Sequence, residues 1–347
     1  MIEQFADTIR RAVADQRTLR IRGGGTKDFY GVALDGDVID TRAHAGVIDY
    51  EPSELVVTAR AGTSLADLET VLADKGQMLA FEPPRLGPDS TIGGVISAGF
   101  SGPRRATSGS ARDYVLGVKV MNGDGAELRF GGQVMKNVAG YDMSRLMAGA
   151  CGTLGLLTEV SLKVLPVPRT ELTVRLELPE AEAIVTMNRL AGTPLPISAT
   201  CHHDDVLSVR LSGAEPAVAA ARASIGGELV ADGADFWQSV RDQRHSHFGR
   251  HTTLWRLSLR STVPPIDLGP TLIEWGGALR WIAGNADPEK IHAAAAAAGG
   301  HATLYRGGNK TTGIQRLAPG MLALQQRLKQ SLDPHGVFGA RRLHPTF

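Results

Sequence analysis

Six consecutive residues, Arg22-Gly23-Gly24-Gly25-Thr26-Lys27, constrain this chain most. Residues 18–22 read as a short strand, and three adjacent glycines after a strand allow a turn tighter than residues with side chains permit. Such a turn aims successive backbone N–H groups into one concavity, a nest suited to a diphosphate. The glycines lack the G-x-G-x-x-G spacing and no helical pattern follows them, which argues against a Rossmann dinucleotide fold; a Walker A sequence is absent as well. Taken alone, a glycine triplet is also what an ordinary turn looks like.

It does not stand alone. Pro83-Pro84 precedes Thr91-Ile92-Gly93-Gly94-Val95-Ile96-Ser97-Ala98-Gly99, whose small residues permit close approach of a flat ligand or of another backbone. Gly109-Ser110-Ala111-Arg112-Asp113 offers hydroxyl and backbone groups to a polyol chain. Lys136-Asn137-Val138-Ala139-Gly140-Tyr141-Asp142 and Cys151-Gly152-Thr153-Leu154-Gly155-Leu156 complete the series.

The pattern between these clusters is mixed. Residues 1–15 place Ile2, Phe5, Ile9 and Val13 at helical spacing without the apolar core of a secretory signal, and they read as a first helix. Residues 55–61 form a strand; Ser64 then caps a helix with Leu65, Leu68, Val71 and Leu72 on one face and Gly76 at its end. Strands over 115–121 and 126–130 flank Asn122-Gly123-Asp124-Gly125, a strong hairpin signal. A strand over 154–164 closes at Pro166 and Pro168. The second half reads as two looser α+β units on an antiparallel sheet, with strands at 171–178, 197–201, 206–211, 253–259, 273–275, 279–282 and 301–305 and helices at 179–190, 216–225 and 288–298. A helix over 322–332 and a short extended tail end the chain. The expected domains are 1–168, 169–312, and a C-terminal helix and tail over 313–347 that packs back on the first.

The order of the five clusters, the R-G-G-G-T strand first and the other four after the capped helix, resembles the PCMH-type FAD-binding domain shared by vanillyl-alcohol oxidase and cytochrome-linked lactate dehydrogenases. The K-N-V-A-G-Y-D wording and the modest second half resemble, within that family, the FAD-binding subunits of glycolate oxidases. The resemblance implies an α+β fold, a PCMH-type domain of two α+β subdomains with a reduced antiparallel-sheet cap. It implies that Arg22, Gly23, Gly24, Gly25, Thr26 and Lys27 hold the FAD diphosphate, that Pro84, Thr91, Gly93, Gly94, Gly109, Ser110 and Asp113 border diphosphate and flavin, and that Gly152, Gly155 and Leu157 flank the adenosine end. Lys136 and Tyr141 stand as the candidates nearest the reacting ring, each with an equally good structural reading as surface cation or core tyrosine. Relatives with covalent flavin carry histidine where this chain has Thr26, so non-covalent FAD is expected. The tail Asp333-Pro334-His335-Gly336-Val337-Phe338 resembles the family's closing segment, but Gly339-Ala340-Arg341 replaces its Asn-Pro-Gly, and no asparagine contact to the flavin is expected there.

Composition sets the partners. Lysine plus arginine number 37 and aspartate plus glutamate 36, a formal charge of +1 that gives no electrostatic reason to expect nucleic acid. Two cysteines, Cys151 and Cys201, cannot ligate an iron–sulfur cluster, and the H-x-x-D-G-N-x-H segment of the catalytic glycolate oxidase subunits is missing. No metal is expected: His202-His203-Asp204-Asp205 reads as a solvated turn, and His245 and His247, beside Arg244 and Arg250, as an exposed loop or the rim of a pocket. The resemblance therefore implies an FAD-dependent oxidoreductase subunit acting on a CH–OH donor. It would join a D-type FAD subunit and an iron–sulfur subunit that together oxidise a 2-hydroxy acid, glycolate, to glyoxylate. A stand-alone 2-hydroxy-acid or alcohol dehydrogenase and a non-catalytic flavin scaffold are the alternatives. No stretch is apolar for long enough to span a bilayer. A cytoplasmic location is expected, peripheral to the membrane only through partners.

Overall fold

A computed structural model describes residues 1–32, 35–133, 142–339 and 341–346. Backbone contacts divide the chain into two units, one of Met1–Phe100, Ser110–Val167 and Leu317–Phe347, the other of Ser101–Gly109 and Pro168–Arg316. Segment 101–109, which the sequence pattern leaves within the first domain, clusters with the second.

In the first unit, helix α1 (Ile2–Ala14) buries Phe5, Ile9 and Ala12, the stripe that its spacing predicts. Strands β1 (Leu19–Arg22) and β2 (Asp37–Asp40) pair in parallel. Phe5, Ile9, Leu19 and Ile39 close into one cluster with Met121, Leu156, Val337 and Phe338. Strands β3 (Val47–Glu51), β4 (Val56–Arg60), β5 (Val115–Met121), β6 (Glu127–Gly131) and β7 (Leu156–Lys163) form an antiparallel sheet in the order β3-β4-β7-β5-β6. The turn between β5 and β6 is held by the Asn122 side chain, whose Oδ1 accepts the N–H groups of Asp124 and Ala126 at 3.1 and 2.9 Å.

Two helices lie between β4 and β5. Ser64 caps α2 (Leu65–Ala73) by accepting the Asp67 N–H, and Leu65, Leu68 and Leu72 turn inward. Helix α3 (Ile92–Ala98) is capped by Thr91 and ended by Gly99 at φ 67°. Two glycines make it a poor helix by propensity, but Ile92, Val95 and Ile96 are buried against Leu65, Leu68 and Val160. Full burial of each such side chain contributes about 1.5–3 kcal/mol, enough to outweigh the glycines.

The C-terminal helix (Pro319–Leu332) returns to this unit through a buried ion pair. Lys329 Nζ donates to Asp333 Oδ2 at 2.6 Å and to the carbonyls of Thr153 and Phe338, both at 2.7 Å. Asp333 in turn accepts the N–H groups of Val337 and Phe338, each at 2.9 Å. The tail then runs beside β1, with Leu19 N–H on the Val337 carbonyl and Gly339 N–H on the Leu19 carbonyl.

The second unit is one antiparallel sheet in the order β11-β8-β10-β9-β13-β14-β12-β15. Its strands are β8 (Thr170–Glu177), β9 (Ile197–His203), β10 (Val206–Gly213), β11 (Glu228–Val230), β12 (Leu254–Ser258), β13 (Thr271–Glu274), β14 (Leu279–Ala283) and β15 (His301–Arg306). Helices α4 (Glu180–Ala191) and α5 (Glu215–Ile225) pack Ile184, Met187 and Val218 on Val174, Val209 and Leu211. Successive strand residues point to opposite faces, so Thr173 lies on the other side, where helix α6 (Gly233–Arg241) meets it: Trp237 Nε1 donates to Thr173 Oγ1 at 2.8 Å. Helix α7 (Pro288–Ala297) buries Ile291 and Ala295 against Trp255, Leu257 and Leu304.

Two expectations about histidines need correcting. Only Asp204 and Asp205 form the turn between β9 and β10, with φ of 48° and 57°; His202 is buried in the strand, its Nε2 2.9 Å from the Leu178 carbonyl. Nor is the segment after α6 a plain exposed loop. His247 is 0% exposed, because the neighbouring Phe248 stacks edge to face on Trp281 at 5.5 Å and draws the chain inward.

Candidate functional site: a glycine-walled cleft in the first unit

β1 delivers the chain into a solvent-open cleft of the first unit, with about 720 Å³ of empty space between its walls and the bulk. Residues 23–27 form its floor. A turn closed by Asp28 N–H on the Gly25 carbonyl (3.0 Å) and by Tyr30 N–H on the Lys27 carbonyl (3.1 Å) shapes the loop. Arg22 Nε spans it to Asp28 Oδ2 at 2.8 Å, and the Thr26 and Ser90 hydroxyls share a hydrogen bond at 3.0 Å.

Glycine is required here for two different reasons. Gly25 sits at φ 68°, a conformation that side chains disfavour. Gly24 backs directly on the 88–91 segment, where an added Cβ would overlap the Asp89 carbonyl. The loop is therefore pressed against the protein on one side and open on the other. Among the described residues, none of the five backbone N–H groups from Gly23 to Lys27 meets an acceptor. Consecutive N–H groups left unpaired in a concavity make an anion cradle.

A second wall is α3, whose cap residue Thr91 lies against Gly23. Its first N–H groups are already used: Ile92 donates to the Thr63 carbonyl at 2.9 Å, Gly93 to the Ala61 carbonyl at 2.8 Å, and Gly94 to Thr91 Oγ1 at 3.2 Å. Gly93 and Gly94 thus leave space rather than supply donors. Leu157 and the Cys151-Gly152 turn form a third side. The Cys151 thiol is pushed up to about 11 by burial, so it is a neutral group at physiological pH.

Charge in the cleft is positive. Asp28 is occupied by Arg22, whereas Lys27 has no carboxylate among the described residues; its ammonium touches only Thr26 Oγ1, at 3.2 Å. Burial lowers the Lys27 pKa to about 8. Arg342, brought in by the tail, reaches the same cleft and donates Nη2 to the Lys27 carbonyl at 3.1 Å, while its own carbonyl accepts the Val32 N–H.

Of the residues nominated from sequence, Arg22, Gly23, Gly24, Gly25, Thr26, Lys27, Thr91, Gly93, Gly94, Gly152 and Leu157 line this cleft. Pro84, Gly109, Ser110, Asp113 and Gly155 do not. Ser110 and Asp113 are bonded to one another in a capping box, Gly109 belongs to the second unit, and Gly155 lies against Val120 and Met121. Lys136 and Tyr141 fall outside the described residues. Among the lining residues that the sequence reading did not nominate are Tyr30, Thr41, Cys151 and Arg342. Cys151 was signalled by its place beside Gly152; nothing local signals Arg342, which arrives through the pairing of the tail with β1.

Residues 1–131 match the family model described as an FAD binding domain. The chain is 47% identical over 343 residues to glycolate oxidase subunit GlcE of Escherichia coli (strain K12), covering 99% of this chain and 97% of that protein. The chain belongs to the GlcE family. It is an FAD-linked oxidoreductase of the PCMH-type fold, and FAD is its cofactor. Glycolate oxidase subunit GlcD of Bacillus subtilis (strain 168) is 34% identical over 155 residues, 44% of this chain and 33% of that one. Among solved structures, alkyldihydroxyacetonephosphate synthase superposes with a TM-score of 0.67 at 16% identity, over 96% of this chain and 73% of the other; this likeness establishes the α+β fold.

The cleft fits the cofactor. Its floor offers a diphosphate N–H donors without a backbone acceptor and an ammonium without a carboxylate partner among the described residues, and glycines leave room for the backbone to approach one.

Proposed function

We propose that this GlcE-family chain is the FAD-carrying E-type subunit of a glycolate oxidase. Five N–H groups over residues 23–27, unpaired among the described residues, carry the cofactor assignment. They would hold the FAD diphosphate, with Lys27 and Arg342 supplying positive charge, while Gly93 and Gly94 make room beside α3. Thr26 in the loop offers no ring nitrogen for a covalent link, so the cofactor is held non-covalently.

Bound FAD supplies a two-electron acceptor for oxidation of a CH–OH group. Glycolate is the substrate and glyoxylate the product, in an assembly with a D-type flavin subunit and an iron–sulfur subunit; the names of the relatives GlcE and GlcD, both glycolate oxidase subunits, support a multi-subunit enzyme. With two free cysteines, Cys151 and Cys201, this chain has too few thiolates for an iron–sulfur cluster. Electrons would pass to a cluster on the partner. Among the described residues no helix is long and apolar enough to cross a membrane. A cytoplasmic place, with any membrane attachment through partners, agrees with that.

The test is glycolate-dependent dye reduction by the three subunits expressed together, with and without this chain, and with Gly24→Ala in its place. The proposal expects turnover to vanish without the chain and to fall with the loop variant as FAD content falls. Full turnover by the other two subunits alone would refute it.

A further inference from the structure

Arg22 ends β1, lines the cleft, and stands among the residues nominated to hold the diphosphate. Its surroundings give it a different task. The three glycines that follow it are each pressed against a different neighbour. A Cβ added at Gly23 would meet Thr91 Oγ1, and one at Gly24 the Asp89 carbonyl, so the 88–91 segment backs both. At Gly25 the three nearest heavy atoms are Nη2, Cζ and Nε of Arg22. The guanidinium therefore fills the place that a side chain at position 25 would take.

The same group is tied on its other side. Arg22 Nε donates to Asp28 Oδ2 at 2.8 Å, and the Asp28 N–H donates to the Gly25 carbonyl at 3.0 Å. Arg22, Gly25 and Asp28 thus close a ring of contacts around residues 23–27. Gly25 needs such support most. Its φ of 68° lies in the left-handed region, and glycine is free to leave that region for many other conformations. The guanidinium is what stands nearest to prevent it.

Charge separates Arg22 from Lys27. The Arg22 cation is matched by Asp28, whereas Lys27 meets no carboxylate among the described residues. A neutralised cation adds little attraction for an anion. A fixed loop adds more, because N–H groups already aimed at a ligand give up little conformational freedom when it arrives. The Arg22 and Asp28 side chains are 37% and 33% exposed, and an ion pair so open to water contributes little to the stability of the fold. Loop order and fold stability are therefore separable here.

We propose that Arg22 is a positioning residue of the cleft: anchored on Asp28, its guanidinium is the splint that keeps the N–H groups of residues 23–27 aimed at the diphosphate, and it is not itself a diphosphate ligand. Its effect on binding rests on the FAD reading; the splint exists without any ligand. Arg22→Gln removes the guanidinium, and Asp28→Ala keeps the guanidinium but removes its anchor. Asp28→Ala separates splint from ligand by sign. A splint without its anchor lets the loop loosen, and binding weakens. A direct ligand freed of its carboxylate, with one negative charge fewer beside the diphosphate, would bind more tightly.

The flavin-free full chain is titrated with FAD by fluorescence and with inorganic pyrophosphate by calorimetry. Arg22→Gln and Asp28→Ala should each weaken both ligands by about tenfold or more. The double variant should lose no more than the weaker single one, since both substitutions remove the same device. Melting of the flavin-free chain should stay within about 4 °C of the parent in all three, which a merely structural role for Arg22 would not accompany with a loss of binding. Hydrogen exchange at the Asp28 and Tyr30 amides, whose bonds to the Gly25 and Lys27 carbonyls close the loop, should quicken by about tenfold or more in both single variants with no ligand present. Asp28→Ala that binds FAD as tightly as the parent, or more tightly, overturns the proposal, and so does unchanged exchange in both variants. A parent chain that takes up neither FAD nor pyrophosphate contradicts the flavin reading instead, and the exchange rates then decide the splint alone.

Discussion

Replacing Lys329 with methionine isolates the device that docks the tail. The side chain keeps its length and apolar stem, but Nζ and its three hydrogen bonds to Asp333, Thr153 and Phe338 are lost. Asp333, 1% exposed, would keep only the Val337 and Phe338 N–H groups as partners, and the Thr153 and Phe338 carbonyls would each lose a donor. Removing one member of a buried pair costs about 3–5 kcal/mol, since the abandoned charge cannot reach water. For a domain of this size that corresponds to a fall in Tm of roughly 6–20 °C. The consequence reaches the cleft, because Thr153 follows the Cys151-Gly152 turn and the tail carries Arg342. Flavin retention should fall with stability. The assay is urea unfolding and FAD content after gel filtration, for Lys329→Met and for Lys329→Met with Asp333→Leu. The double variant should recover part of the loss, as no charge is then stranded. A single variant within about 1 kcal/mol of the parent would refute the reasoning, for a buried ion pair cannot be broken at so little cost.

Gly24→Ala forces a Cβ into the Asp89 carbonyl; it should cost roughly 1–3 kcal/mol of stability and weaken FAD binding by about tenfold or more as the N–H groups are re-aimed, measured by flavin fluorescence titration. Lys27, with a pKa near 8 in the free protein, should bind the diphosphate best when charged. An anion raises that pKa, so binding takes up a proton above pH 8: affinity should be flat below about pH 7.5 and fall by up to about tenfold per unit as pH rises through 8 to the bound value. Lys27→Met should bind more weakly and lose this dependence, and a parent chain with flat affinity from pH 7 to 9.5 would contradict it. The Cys151 thiol, pushed up to about 11, should react with iodoacetamide at pH 8 at least about tenfold more slowly than glutathione, read by mass spectrometry of the peptide.

What could be read from the sequence was mostly local. The Ser64 cap, the Asn122-Gly123-Asp124-Gly125 turn and the stripe of Phe5 and Ile9 each declare themselves within a few residues, and each is found in the fold. The glycine loop was legible for the same reason: Gly23, Gly24 and Gly25 answer to a backbone need. Helix α3 was not, because Gly93 and Gly94 argue against a helix and only burial of Ile92 and Ile96 reverses that. Helix α6 escaped as well; its inward Trp237 is recognisable once Thr173 is known to face it. Arg342 and the histidine cluster depend on contacts between distant segments, Leu19 with Phe338 and His203 with His247, and no spacing rule connects them. Ser110 and Asp113 show the converse hazard: polar residues in a motif satisfied one another.

The visible absorption spectrum of the purified chain, followed by heat denaturation and chromatography of the released nucleotide, tests the central claim most directly. The account predicts a flavin spectrum, release of FAD without covalent residue, and loss of both in Gly24→Ala. A colourless chain that also refuses added FAD would contradict the assignment of the cleft over residues 23–27 as the cofactor site.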